Sequence, residues 1–194
     1  MSRNAYLVER KGKQIDEERQ WRVSLAPDFV VLETLNYQSR DDFLARLGIV
    51  LASVERCFSP TQVVRLGLRY IDRVISPELA RVSSYIRPEV LGVAGTAIAA
   101  SASLVISEMH LRAEEGLVQA RWGWLPGLAS IDPTVLEPLP EPSWVLDLDV
   151  SATDLGAFDA DALRTMAGRL AQRGYALFRW IVTPAFLAAY GAEQ

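Results

Sequence analysis

The chain of 194 residues has one cysteine, Cys57, so no intrachain disulfide can form. That composition suits a reducing compartment, and a cytoplasmic location is expected. Histidine is as scarce, with His110 standing alone. A Ser-His-Asp arrangement would have to use it, and no G-x-S-x-G nucleophile elbow is present. In an extended strand His110 shares a face with Glu108 and Arg112. Glu-x-His supplies two metal ligands where catalytic zinc normally takes three, so a surface histidine in an ion-paired strand is the simpler reading. An excess of positive charge is also missing. The net charge is −4, with a sequence pI near 5.1. This argues against broad nucleic-acid binding, which needs many Lys and Arg to displace counterions, but leaves room for a local basic patch. A phosphate-cradling loop is absent too: GVAGTA, residues 92–97, lacks the Lys and following Ser or Thr of a P-loop. The first residues, MSRNAYLVERKGK, are charged and contain no apolar core, so no signal peptide is expected. No cofactor is implied.

One stretch, Val90 to Ser107, carries no charge and is long enough to raise the question of a membrane span. Ala, Gly, Ser and Thr dominate it, and no basic cluster flanks it closely. The expected structure is a strand buried between neighbours, with no membrane contact.

What the chain does have is apolar bulk: half its residues are hydrophobic and 23% are charged. That is enough for one domain spanning 1–194. The pivotal stretch is Gln62 to Val74, QVVRLGLRYIDRV. Read as a strand, it sets Val64, Leu66, Leu68, Tyr70 and Val74 on one face, and Arg65, Gly67, Arg69 and Arg73 on the other. Before it, Tyr6 to Val8 and Trp21 to Leu25 read as short strands joined by a charged turn, Lys11 to Arg19. Phe29 to Tyr37 forms a hairpin with Trp21–Leu25 across Pro27-Asp28, with Val31 and Leu35 inward and Thr34 and Asn36 outward. Ser39 and Asp42 make an acidic capping box for a helix over 41–58, whose stripe is Phe43, Leu47, Val50, Leu51, Val54 and Phe58. Cys57 reads as a small buried hydrophobe on that helix.

After the central strand, Ser76-Pro77 opens a short helical connection. Thr96 to Arg112 reads as one bent strand or two, and Leu117 to Leu125 as another. Pro126 to Ser143 holds five prolines and is a long loop, functional or mobile. Trp144 to Val150 is a strand with Asp147 and Asp149 facing away from the core. A final long helix over 160–182 is capped by Asp159 or Asp161, and Thr183-Pro184 starts a short last one. The fold class expected is α+β: two layers, a mostly antiparallel sheet of about six strands, and two long amphipathic helices on one face. SRDDFLARLGIVLASVERCF echoes DADALRTMAGRLAQRGYALF, which suggests a β-β-α pseudo-duplication; two helices covering one sheet would show the same echo.

The segments RLGLRYIDR (Arg65–Arg73), LDLDV (Leu146–Val150) and FRWIVTPAF (Phe178–Phe186) resemble the signatures of a sporadically distributed family of uncharacterised bacterial proteins. That family is marked by an RLGLRYINR-like strand and a later LDIDV-like strand. The resemblance runs from about residue 20 to the C-terminus; it supports the architecture and implies no reaction. Asp72 stands where the family usually carries Asn. Members also begin with an extra strand region that this chain is expected to lack, which would leave one sheet edge open to a partner, including a second copy.

The candidate site residues are Arg65, Gly67, Arg69, Arg73, Arg121, Asp147 and Asp149. Arginines four apart on a strand are separated by roughly 13 Å, so they cannot all grip one small anion. Gly67 leaves a notch in which an anionic group could rest between two guanidinium forks. Two readings stand open. Asp147 and Asp149 neutralise the arginines across neighbouring strands, or the face binds an anionic ligand or acidic partner as a noncatalytic module. The alternative function is an enzyme on an anionic or nucleotide-like substrate, using Asp147 and Asp149 with a divalent metal. Trp122, Trp124 and Trp144 alternate with polar residues and belong to the core face, where their N–H groups need acceptors.

Overall fold

The computed structural model of the chain describes residues 4–6 and 21–190. Among the described residues seven strands form one antiparallel sheet: β1 (Asn4–Tyr6), β2 (Trp21–Leu25), β3 (Val30–Thr34), β4 (Gln62–Val74), β5 (Val105–Ala113), β6 (Gly116–Leu125) and β7 (Ser143–Ala157). Their order is β2-β3-β1-β4-β7-β6-β5. With helices beside it, this is the α+β arrangement that the sequence pattern implies, with one strand more. β1, which overlaps the start of the strand expected at Tyr6–Val8, lies mid-sheet between β3 and β4 and does not pair with β2. Among the described residues the sheet edges are therefore β2 and β5. The turn expected over Lys11–Arg19, and the end of the strand expected at Tyr6–Val8, lie outside the described residues.

Two long helices, α1 (Arg40–Phe58) and α4 (Ala160–Ile181), cover one face of the sheet. Ser39 Oγ accepts from Asp42 N at 3.1 Å and starts α1. The other half of the capping box is not made: the Asp42 carboxylate turns outward to Arg46 at 3.0 Å. Asp159, not Asp161, caps α4, accepting from Ala162 N at 2.8 Å. Glu55 near the end of α1 accepts from Ala160 N at 3.2 Å, so one helix helps to satisfy the free amides of the other. Phe43 and Leu51 of α1 and Leu163, Ala167 and Leu170 of α4 pack on Leu66, Leu68, Val118 and Val150 of the sheet. A second cluster joins Val74, Trp144, Leu146 and Leu148 to Phe178, Ile181 and Phe186, and to Tyr85 and Ile86 of the connection after β4. That connection comprises a 3-10 turn (Glu78–Arg81), α2 (Val82–Tyr85) and α3 (Pro88–Leu91). The short α5 (Pro184–Ala189) follows α4.

Several sequence expectations are corrected. Val64 is 76% exposed, because a bulge between Val63 and Arg65 shifts the alternation and turns Val63 to the core instead. β3 ends at Thr34, so its alternation does not reach Leu35, which is exposed; Leu32 joins the helix-side core and Thr34 is buried. Phe58 is 62% exposed and Cys57 is exposed, since the last turn of α1 falls outside the buried stripe. The charge-free stretch is not a buried strand. Residues 92–101 form 3-10 turns closed by bonds such as Thr96 N to Val93 O and Ala99 N to Thr96 O, and β5 begins only at Val105, on the sheet edge. Its small side chains bury too little surface to hold an interior strand, and Val93 and Ile98 point to solvent. No helix among the described residues is long and apolar enough to cross a membrane.

The proline-rich segment after β6 is a loop, and it lies on the sheet face that the helices leave bare. Val135 and Leu136 are buried there with Ile71, Leu125 and Val145, beside Ala129 and Ile131. Its two ends run close together: a side chain on Gly127 would place Cβ 2.2 Å from the Pro140 carbonyl oxygen. Inside it, Ser130 Oγ donates to Leu136 O at 2.6 Å, and the Asp132 carbonyl accepts from Leu136 N at 2.9 Å.

Candidate functional site

On this loop-covered face β4 presents Arg65, Arg69 and Arg73, β6 presents Arg121, and β7 presents Asp147 and Asp149. The antiparallel register sets Arg69 opposite Asp149 and Arg121 opposite Asp147. Arg121 pairs with Asp147 directly across the strands, whereas the ion pairs of Arg69 and Arg65 run on diagonals. Arg69 reaches Asp147 through two parallel bonds, Nε to Oδ1 at 2.7 Å and Nη2 to Oδ2 at 2.8 Å. Arg121 donates to the same Oδ2 from Nη2 at 2.7 Å and Nε at 3.2 Å. Arg65 Nη2 meets both oxygens of Asp149, at 2.8 and 2.9 Å. To do so it folds over Gly67: a Cβ on that glycine would stand 2.6 Å from Arg65 Nη1. The notch at Gly67 is thus filled by the neighbouring guanidinium and does not stand open for an anion. The glycine is needed so that Arg65 can lie down on its own strand.

The loop completes the arrangement. Asp132 Oδ2 accepts from Arg69 Nη1 at 3.0 Å and stands 3.9 Å from Arg121 Nη2. Its other oxygen accepts from Thr134, backbone at 3.2 Å and hydroxyl at 2.5 Å, which fixes the carboxylate. Among the described residues Arg73 meets no carboxylate; it donates to Ser143 Oγ at 3.0 Å and to the Glu137 carbonyl at 2.6 Å. All seven sequence-derived residues therefore share one face, and six of them carry charge. Four guanidiniums meet three carboxylates within the ladder, and Glu108 of β5, opposite Arg121 in the register and within reach of its charge, adds a fourth.

The titration behaviour follows from this packing. Burial pushes the Asp149 carboxyl above its ordinary value, against the pull of Arg65 and Arg69 and with a further push from Asp147. Burial acts the same way on Asp132, but hydrogen bonds from Thr134 and Arg69 and the charge of Arg69 outweigh it and hold that carboxyl below the usual range. Burial weakens the charge on Arg73 and lowers its pKa. Burial opposes the charge on Arg69 as well, yet Asp147 and Asp132 overcome it and raise that pKa.

For a metal, the oxygens of Asp147 and Asp149 are already taken by guanidiniums, and among the described residues no group of three or more His, Cys, Asp or Glu could hold an ion. His110 is on the exposed edge strand, its Nε2 2.8 Å from Glu108, which also accepts from Gln119 at 2.6 Å. The tryptophans are on the helix side of the sheet. Trp122 donates to the Val90 carbonyl at 2.6 Å, while buried Trp144 finds no acceptor among the described residues.

Sequence reasoning missed three residues of this site: Asp132, Glu137 and Ser143. The run Asp132-Pro133-Thr134 is a turn signature, and that much was available as a signal. Which strand the turn lies against depends on how the loop folds back. It also missed Asp72 as a core acid. By alternation Asp72 points to the helix side with Tyr70 and Val74, where it is 4% exposed and lines a cleft with Tyr37, Tyr70 and Tyr175. A larger cavity of ≈ 790 Å³ lies beneath Val30 and Leu32 of β3, Leu47 and Val54 of α1, and the first half of β4. On that side no described strand pairs with Gln62–Leu68.

No family model, no curated protein and no solved structure matches this chain.

Proposed function

We propose that the protein is a noncatalytic binding module whose arginine face takes an anionic group, a carboxylate or phosphate, in the seat that Asp132 occupies. The observation behind this is a contrast between two carboxylates held by the same two arginines. The Asp147 side chain comes from a sheet strand and is 3% exposed; the Asp132 side chain comes from a loop and is 24% exposed. One of the two anionic positions is therefore built into the sheet, and the other is supplied by the loop, nearer to solvent. Arginine offers an anion planar paired donors that lysine lacks. Arg65, half-exposed at the open end of the face, extends the positive surface toward a partner.

The test removes the internal occupant. Asp132→Ala vacates the seat while leaving Asp147 on Arg69. Inorganic phosphate, acetate and an aspartate-rich peptide are then titrated against the parent and the variant. Tighter binding by Asp132→Ala, lost on adding Arg121→Ala, supports the reading. Preference for phosphate or acetate identifies a small anion, and preference for the peptide identifies an acidic partner. Equal, unsaturable responses in both proteins reject it and leave the ladder as pure architecture.

A further inference from the structure

The end of the sheet farthest from β2 has features that the arginine face does not use. We propose that two copies of this chain join through β5, edge to edge and antiparallel, about a twofold axis at Met109, so that their sheets continue into one.

β5 is an edge open to pairing. It is nine residues long, and each of them, Val105 to Ala113, meets β6 one to one with no shift of register. Natural edge strands are protected by proline, lysine, a bulge, shortness or a cover. VISEMHLRA contains neither proline nor lysine, and among the described residues no strand lies beyond it. Its outward amides and carbonyls form a row that a second strand can complete. The chain leading into it is the charge-free stretch. Val93, Ile98 and Leu104 there are 57%, 65% and 52% exposed, and Ile106 and Leu111 on the strand are exposed as well. Contacts between identical copies are more apolar than ordinary surface, and apolar residues left bare beside one edge fit that use.

The order of residues along β5 selects a second copy as the occupant. Met109 is the middle of the strand, so an axis there overlaps it over its whole length. Residues facing each other across antiparallel strands point to the same side of the sheet. On the helix side Met109 then faces Met109, Ser107 faces Leu111 and Val105 faces Ala113. On the loop side Glu108 faces His110 and Ile106 faces Arg112. An imidazole donates to a carboxylate in either protonation state. Glu108 already accepts from His110 of its own strand at 2.8 Å and from Gln119 at 2.6 Å, and both bonds end on Oε1, which leaves Oε2 for the second copy. Moving the axis loses this match. Centred on Glu108, it sets two carboxylates face to face, which is unfavourable. Centred on His110, it pairs Glu108 with Arg112 but sets two imidazoles face to face and Ile106 against Glu114.

Sedimentation equilibrium of the full chain over a concentration series is the first measurement, and a mass rising from 21.5 kDa toward twice that value is expected. Two variants at exposed positions test the register. Glu108→Arg and His110→Glu each set like charges face to face across the axis. Each alone should dimerise about tenfold more weakly than the parent, the scale of two facing pairs turned from attraction to repulsion. An equimolar mixture of the two restores opposite charges at both positions and should dimerise more tightly than either variant alone. Should a variant not fold, hydrogen exchange of the parent carries the test: the β5 amides that point away from β6 should exchange more slowly as concentration rises, while those of β2 do not change. A parent that stays monomeric throughout overturns the proposal. So does a dimer that ignores both variants, or one whose formation leaves β5 exchange unchanged, because its interface lies elsewhere.

Discussion

Arg69 and Asp147 are joined by two parallel hydrogen bonds, 2.7 and 2.8 Å long, and both side chains are nearly sealed from water. Two desolvated charges in this relation depend on each other. Removing one leaves the other buried without its main counterion, whereas removing both costs far less. Arg69→Ala should therefore destabilise the protein by about 3–5 kcal/mol in urea denaturation. The double variant Arg69→Met/Asp147→Leu should recover most of that loss. If Arg69→Ala unfolds at the parent midpoint, the ladder is not structural.

Removing Arg65 acts on Asp149. That carboxyl is held high by burial, and Arg65 pulls it down. Arg65→Ala should raise its pKa further, read by carboxyl NMR titration. A raised carboxyl in the folded state opposes folding above its pKa, and the opposition is relieved as pH falls through that value. The stability deficit of Arg65→Ala should thus be largest near neutral pH and shrink on acidification. Gly67→Ala should give the same titration shift, because its methyl group displaces the Arg65 guanidinium from where it lies.

Acid should loosen the loop only after Asp149, whose raised carboxyl takes up its proton at higher pH. Asp132 titrates below the usual carboxylate range, so its tie to Arg69 is complete above that range and is lost as pH falls through its folded value. Hydrogen-exchange protection of Ile131–Leu136 should drop in that window while β4 and β7 stay protected. In Asp132→Asn the low protection should be present at neutral pH as well.

Gly127→Ala should separate the ends of the loop, since the new methyl group meets a backbone oxygen that cannot swing aside. A loss of about 1–3 kcal/mol is expected, the usual cost of overpacking. Faster exchange at Leu128, whose amide donates to Leu139 O at 2.6 Å, would locate the damage.

Two tryptophans should respond unequally to loss of their N–H. Trp122→Phe breaks the bond to the Val90 carbonyl and leaves that oxygen unsatisfied, costing about 1–3 kcal/mol. Trp144→Phe removes a buried donor that has no acceptor among the described residues, so it should cost less despite deeper burial. Paired denaturation curves decide the order.

The sheet, the two helices and the faces of β4 were legible because period two and period three-to-four are imposed by backbone geometry, and a buried face shows them directly. Arg65, Arg69, Arg121, Asp147 and Asp149 were legible as one group for the same reason. The exchange of partners between them was not, since diagonal pairing depends on side-chain reach. Val64 misled because one bulge residue reverses everything before it. The 92–104 stretch misled because absence of charge describes a composition, not a periodicity, and small residues gain little from burial. Asp132 could be recognised as a turn residue, but its target is set by the path of eighteen residues of loop.

The central pair of the sheet joins distant parts of the chain: Val74 faces Trp144, roughly seventy residues further on. Contacts of such sequence separation slow folding, because chain entropy is lost before the pairing repays it. During synthesis β4 leaves the ribosome long before β7, and its guanidiniums must wait in water for their carboxylates. The order of the genetic message thus keeps the most interdependent charges of the molecule apart until β7 has been made.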